Sequence, residues 1–349
     1  MAMFLPLMVS LLSLLFGNDE AELVFAGDAM MHQGQLDAAR RSDGSYDFSE
    51  YFMTITPYVL SADYAVVNLE TPVSATQHYS GYPCFNAPES YVDALAGAGF
   101  DMFLTANNHT LDRHDRGLKA TVECLERKGL DHIGTYATTT QRDTVLPCVK
   151  NINGIKVGFV NYTYGTNGIE PGREVVVDYI DRERIRHDVR SARDAGAEVI
   201  AACVHWGVEY KLQPHSTQTS LAKFLVDELG VEIVIGGHPH VVQPMHMIDL
   251  PSGDKGLLVY SLGNFISNMK TRDTRGGAMV RVKLRRDDDG KVKVDKATYV
   301  LVYTEPADGS HNYRLVWPDE SGDSRAKAFA KAARELVMAF NTDVTESRW

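Results

Sequence analysis

Seven short apolar runs rich in β-branched residues, alternating with stretches of helical period, constrain this chain more than any other feature. The runs are Leu23 to Ala26, Tyr64 to Leu69, Phe100 to Thr105, Ile155 to Asn161, Glu198 to His205, Val231 to Ile235 and Leu257 to Leu262. Between them Leu118, Val122 and Leu125 recur at i, i+4, i+7, as do Ile185, Val189 and Ala192, and Leu221, Phe224, Leu225 and Leu229 form a third stripe. Gly129, Gly196 and Gly230 follow these stripes, where a left-handed helix C-cap belongs. Strand, helix, strand repeated in this way predicts an α/β layered fold. Beyond residue 276 the pattern changes: Gly277 to Leu284 and Lys291 to Tyr303, joined by RRDDDG, read as an antiparallel hairpin added to the sheet. The chain closes with a helix whose Phe329, Ala333, Leu336 and Phe340 share one face.

No internal repeat, low-complexity tract or long linker interrupts the 349 residues, which predicts a single catalytic-type domain. The formal charge of −11 opposes general binding to nucleic acid or to an anionic membrane, so an anionic ligand needs a local device to hold it. One stretch could address a membrane, the apolar run Met3 to Phe16. As a helix it would span about 21 Å, short of the roughly 30 Å hydrocarbon core, so it reads as the hydrophobic region of an export signal. Cys84, Cys124, Cys148 and Cys203 are dispersed without a C-x-x-C, which excludes a zinc ribbon or a redox motif. They read as buried free thiols, although export would permit disulfides.

The chemistry is read from position. Asp28 follows LVFAG, Asn68 and Glu70 follow YAVV, Asn107, Asn108 and His109 follow FLTA, His205 ends VIAACV, and His238 and His240 follow IVIGG. In open α/β sheets the ligand crevice lies outside the carboxyl ends of the strands, so five segments deliver these groups to one place. Taken singly, Asp28 could cap a helix, Glu70 could bind a backbone amide, and His109 and His205 could be buried, hydrogen-bonded histidines. GGHPH is harder to read that way, because two histidines flanking a proline project from one loop. Nitrogen and carboxylate donors without cysteine suit Mn, Fe or Zn. Asp28, Glu70, Asn108, His205, His238 and His240 exceed what one catalytic ion needs and fit a two-ion site bridged by Glu70 or Asp28.

VNLETP, ANNHTLD, VHWGVEY, GGHPHVVQP and YSLGNF, in this order between about Leu23 and Asn268, resemble the motif set of the poly-γ-glutamate capsule-synthesis (CapA) family, itself similar to the calcineurin-like metallophosphoesterases. The resemblance implies a four-layer α/β/β/α sandwich of metallophosphoesterase type with two divalent ions. By that likeness Asn108, His205, His238 and His240 are metal ligands and His109 is the catalytic histidine. It divides the chain into a signal peptide or anchor over 1–21, the CapA-like domain over 22–303, and a connection and C-terminal helix over 304–349 packing on the same domain. Two departures stand out. Asp28 is followed by Ala29 and Met30 where the phosphoesterase motif D-x-H carries histidine, leaving His32 as the substitute, and the bridging aspartate appears as Glu70.

Two functions follow from this reading. One is a metal-dependent hydrolase or transferase in which metal-activated water attacks a phosphoester or a γ-glutamyl amide, with His109 as acid toward the leaving group. The other is a non-catalytic component of capsule export that grips an anionic polymer. Either would work outside the cytoplasm, secreted or membrane-associated, beside capsule-synthesis membrane proteins and without nucleic acid. Around the centre, Asn68, Asn107 and Asn264 read as groups that orient ligands or meet substrate, and Trp206 and Tyr210 as walls of the pocket. Lys270, Arg272 and Arg275, against Asp273, read as a basic flap for the anion.

Overall fold

The computed structural model describes residues 19–74, 78–340 and 343–347, so the apolar run Met3 to Phe16 lies outside the described residues. The predicted strands form two sheets. In the first, the order is Arg314–Val316, Val292–Glu305, Gly276–Arg286, Glu20–Ala29, Tyr64–Leu69, Met102–Leu104, Asp131–Ile133, and the last four strands run parallel. The second runs Met245–Asp249, Lys255–Val259, Ile233–Gly237, Val199–His205, Ile155–Thr163, Cys148–Ile152, with a parallel centre of four. The predicted hairpin is present and joins the first sheet through Gly276–Arg286, antiparallel to Glu20–Ala29.

The sheets are stacked face to face between helical layers, because the strands are apolar on both sides. Leu23, Phe25 and Val66 from the first sheet and Ala201, Cys203 and Ile235 from the second fill the core between them. The alternate residues point outward. Val24, Ala26 and Val67 pack with Leu36, Tyr91 and Leu95 of the helices Gln33–Ala39 and Glu89–Gly97. Ile200, Ala202 and Val204 meet Ile185 and Val189 of Arg182–Asp194 and Leu221 of Ser216–Lys223. Burying each such side chain contributes roughly 1.5–3 kcal/mol, and the result is a four-layer α/β/β/α sandwich. Gly129, Gly196 and Gly230 adopt φ of 70°, 94° and 63°, as expected after their helices.

Two expectations are corrected here, at the C-terminal helix and at Cys84. The C-terminal helix Ser324–Phe340 buries Ala326, Phe329, Ala330, Ala333 and Val337 in the inter-sheet core, while Phe340 is 50% exposed. Alanines let the helix approach the sheets closely, and that rotates the contact face away from Phe340. The stripe around Leu221 continues as a π-helical turn over Phe224–Glu228, a change of hydrogen-bond register that apolar spacing does not encode. All four cysteines are free thiols, but Cys84 is exposed on a loop rather than buried.

One buried side chain ties the two sheets together behind the strand ends. Asn161, in the second sheet, accepts a hydrogen bond from Ala106 N (2.8 Å) and donates one to Cys203 O (3.1 Å), fixing the ANNHT loop against the neighbouring sheet. Gly134 is required beside it: its φ is +109° and a Cβ would stand 2.2 Å from Asn161 Oδ1. Asn161→Ala should therefore cost about 1–3 kcal/mol, the penalty for a buried amide left unpaired. Urea denaturation monitored by circular dichroism checks the value.

Candidate metal centre

The carboxyl ends of the parallel strands bring all six expected ligands into one buried crevice. Glu70 N donates to Ala29 O (3.1 Å), which pins the two carboxylate-bearing strand ends together, and Asp28 N donates to Gly263 O (3.0 Å). Asp28, Glu70, Asn108, His205, His238 and His240 are each no more than 3% exposed. Donor atoms of Glu70, His205 and His238 lie within 4.8 Å of one another, and so do those of Asp28, Glu70 and His240. Glu70 belongs to both groups. Its Oε1 is 3.6 Å from His205 Nε2 and 3.8 Å from His240 Nε2. Asn108 joins through Oδ1, 2.9 Å from His205 Nε2.

The electrostatics of this cluster call for a cation. Neither oxygen of Glu70 nor Nδ1 of His238 has a hydrogen-bond partner among the described residues, an unusual cost for buried polar atoms. Burial, then the charges of Asp28 and Glu209, pushes the Glu70 carboxyl well above its usual range. Burial likewise holds His205 far below the ordinary imidazole value, and with His240 holds His238 down to about 3, so both rings are neutral and offer lone pairs. Burial works against ionising Asp28, but the hydrogen bond from His240 and the neighbouring imidazoles outweigh it and bring the carboxyl to about 2. Buried carboxylate and neutral imidazole facing one another are a donor set for a divalent ion.

The supporting residues divide more sharply than the sequence suggested. Asn68 Nδ2 donates to Asp28 Oδ1 (2.7 Å) and lies 3.3 Å from His205 Nδ1. Asn107 donates to Leu69 O (2.8 Å) and accepts from His109 N (3.1 Å), while Asn264 Oδ1 meets His240 Nδ1 at 2.9 Å. Trp206 is buried behind the crevice with Nε1 donating to Tyr260 O (2.8 Å), and Tyr210 stays 55% exposed with its ring 6.1 Å from that of His240. His32 does not join the donor groups; its Nδ1 accepts from Asn268 N (3.3 Å) and its ring stands edge-on to Phe85.

The basic flap is a further correction. Arg275 is buried beside Tyr303 and Tyr313, because the strand Gly276–Arg286 starts immediately after it and draws it into the sheet. Arg272 turns onto Asp273, with Nε 2.6 Å from Oδ1, and lines a groove against Phe329 and Leu336 of the C-terminal helix. Lys270 is exposed. The three side chains therefore do not act as one cationic surface over the crevice.

Other residues at the centre escaped the reading of strand ends. His109 Nδ1 is 2.8 Å from Asp112 Oδ2, which also accepts from Phe85 N (2.7 Å). Asn167, with φ of 52°, accepts from Asn108 Nδ2 (3.2 Å), and Tyr164 lays its ring 4.5 Å from that of His238. The signals were available: Asp112 stands three residues after His109, and YGTN follows the carboxyl end of Ile155–Thr163.

A family model described as bacterial capsule synthesis protein PGA_cap matches residues 22–269. The chain belongs to that family. It is 28% identical over 288 residues to the capsule biosynthesis protein CapA of Bacillus anthracis, covering 80% of this chain and 67% of that protein. It is 25% identical over 293 residues to the PGA biosynthesis protein CapA of Bacillus subtilis (strain 168), covering 80% and 72%. The NAD nucleotidase of Haemophilus influenzae superposes with a TM-score of 0.50 at 11% identity, over 94% of this chain and 64% of that one, a likeness of fold alone. In this PGA_cap chain the crevice described above falls wholly within the matched residues. Among the described residues no helix is long and apolar enough to cross a membrane.

Proposed function

We propose that this PGA_cap protein is a metal-dependent hydrolase of capsule metabolism, acting on a phosphoester or on the γ-glutamyl amide of an anionic polymer. One observation carries the reading: the fully buried Glu70, without a hydrogen bond among the described residues, shares two donor groups with Asp28, His205, His238 and His240. A pair of divalent ions (Mn, Fe or Zn) held there would activate water and neutralise charge on the oxygens of the group attacked. Asn68 and Asn264 hold Asp28 and His240 in register for that task. His109 is the acid. Anchored through Nδ1 to Asp112, it keeps Nε2 for the proton that the leaving group takes, while the Asp112 carboxylate stabilises the imidazolium and fixes its orientation.

The polymer-gripping alternative is favoured by one feature, the buried Met30 where the phosphoesterase motif carries histidine. Metal content after purification, combined with an activity screen over phosphoesters and γ-glutamyl peptides, separates the two. His205→Ala and His238→Ala should each lower bound metal while the metal-stripped proteins keep their circular dichroism spectrum. Unchanged metal in both variants would sink the hydrolase reading. For place and partners, the apolar run at Met3 to Phe16 and the capsule relatives support work outside the cytoplasm, beside capsule-synthesis membrane proteins.

A further inference from the structure

The loop after Val199–His205 is built to reach across the crevice. Trp206 N donates to Gly237 O (3.1 Å) and Tyr210 N to Pro239 O (2.8 Å), so residues 206–210 are fastened to the loop that carries His238 and His240. The fastening forces unusual backbone on both sides. Gly207 has φ of +95°, and a Cβ on it would fall 2.5 Å from Gln218 Oε1. Tyr210, His238 and His240 adopt φ of 65°, 95° and 58°, a region that non-glycine residues avoid unless the surroundings impose it. Behind the loop, the buried Gln243 donates to Lys211 O (2.8 Å) and receives a hydrogen bond from Gln218 Nε2 (2.7 Å), which holds the conformation in place.

What this arrangement delivers is Glu209. A carboxylate oxygen of Glu209 lies with donor atoms of His238 and His240 inside 4.8 Å, a third group beside the two that share Glu70. No Lys or Arg of the described residues is ion-paired with it, and it faces a buried His238 whose Nδ1 has no hydrogen-bond partner. We propose that Glu209 is a further cation ligand, joining the centre through His238 and His240. This rests on the metal-dependent reading above. It adds a third carboxylate to Asp28 and Glu70, so that each of the three donor groups combines a hard oxygen donor with imidazole.

Titration calorimetry of the metal-stripped protein with Mn²⁺ alone tests this, with Glu209→Gln and Glu209→Asp beside wild type. Glutamine removes the charge; aspartate keeps it but withdraws the oxygens by one methylene. A ligand role predicts that both variants bind Mn²⁺ at least roughly tenfold more weakly, with the metal-stripped proteins melting no lower than wild type. Wild-type affinity in the Gln variant would overturn the proposal. So would wild-type affinity in the Asp variant alone, since the residue would then act only through its field. A melting temperature clearly below wild type in both stripped variants would make Glu209 a structural residue and overturn it as well. If wild type itself takes up neither Mn²⁺ nor, in parallel titrations, Fe²⁺ or Zn²⁺, the metal-dependent reading falls and this one with it, whereas loss of the Glu209 effect alone leaves that reading standing.

Discussion

Glu70→Gln is expected to cripple metal binding and, at the same time, to stabilise the metal-stripped protein. The two effects have one cause. Glu70 is fully buried and neither oxygen is hydrogen-bonded among the described residues, so without a cation the folded state must either desolvate a charge or hold the carboxyl protonated. Burial and the charges of Asp28 and Glu209 favour the protonated form, raising the group well above its unfolded value. Between those two values the folded protein retains a proton that the unfolded chain has released. Stability of the metal-stripped protein therefore falls as pH rises through that window. Glutamine has no such proton and removes the slope, so above the ordinary carboxyl range the variant should melt higher than wild type by a few degrees. With Mn²⁺ present the order should reverse, because losing a carboxylate shared by both donor groups weakens the site by more than the roughly 10- to 100-fold typical of a supporting residue. Melting curves across pH, with and without chelator, check both halves. A variant that melts below wild type in the stripped state would show that Glu70 is held by contacts other than a cation.

His109→Ala should keep its metal and lose about 10²-fold or more in kcat on substrates with poor leaving groups. Its ring is not among the donor groups, and its Nδ1 is committed to Asp112 at 2.8 Å. Where the leaving group needs no proton, the loss should be much smaller. Asp112→Asn is expected to follow the same pattern, since a neutral amide facing Nδ1 no longer balances the charge of the imidazolium from which the leaving group takes its proton. Metal content and kcat on paired substrates decide the matter. An equal loss on both substrate types rules out the acid role for His109, and a wild-type rate in the Asp112 variant removes that residue from the mechanism.

The strand Tyr64–Leu69 has the bounds read from the sequence, and the hairpin, three helical stripes and three glycine caps fall where periodicity put them. The C-terminal helix, Arg275 and Cys84 do not follow. Periodicity defines an apolar face on a helix, but which part of it is buried depends on how closely the partner allows approach; at Ser324–Phe340 that partner is the inter-sheet core. Arg275 looks like part of a basic loop only until the register of Gly276–Arg286 against Val292–Glu305 is known, because one residue decides whether a side chain enters the sheet.

The layered fold and the position of Asp28, Glu70, Asn108, His205, His238 and His240 at strand ends are legible in the order of residues alone. A strand buried on both faces is apolar along its length, so its polar residues are confined to the ends, and a local pattern suffices to find them. How those ends meet depends on contacts between segments. The register of the parallel strands and the bond from Ala106 N to Asn161 set which donors face each other. Main-chain bonds between residues 206–210 and the loop at 237–239 bring Glu209 to His238 and His240. The turn from His109 to Asp112 and the left-handed backbone at Asn167 complete the surroundings. These contacts join residues distant in sequence or depend on loop dihedrals, and neither leaves a period in the chain to be read.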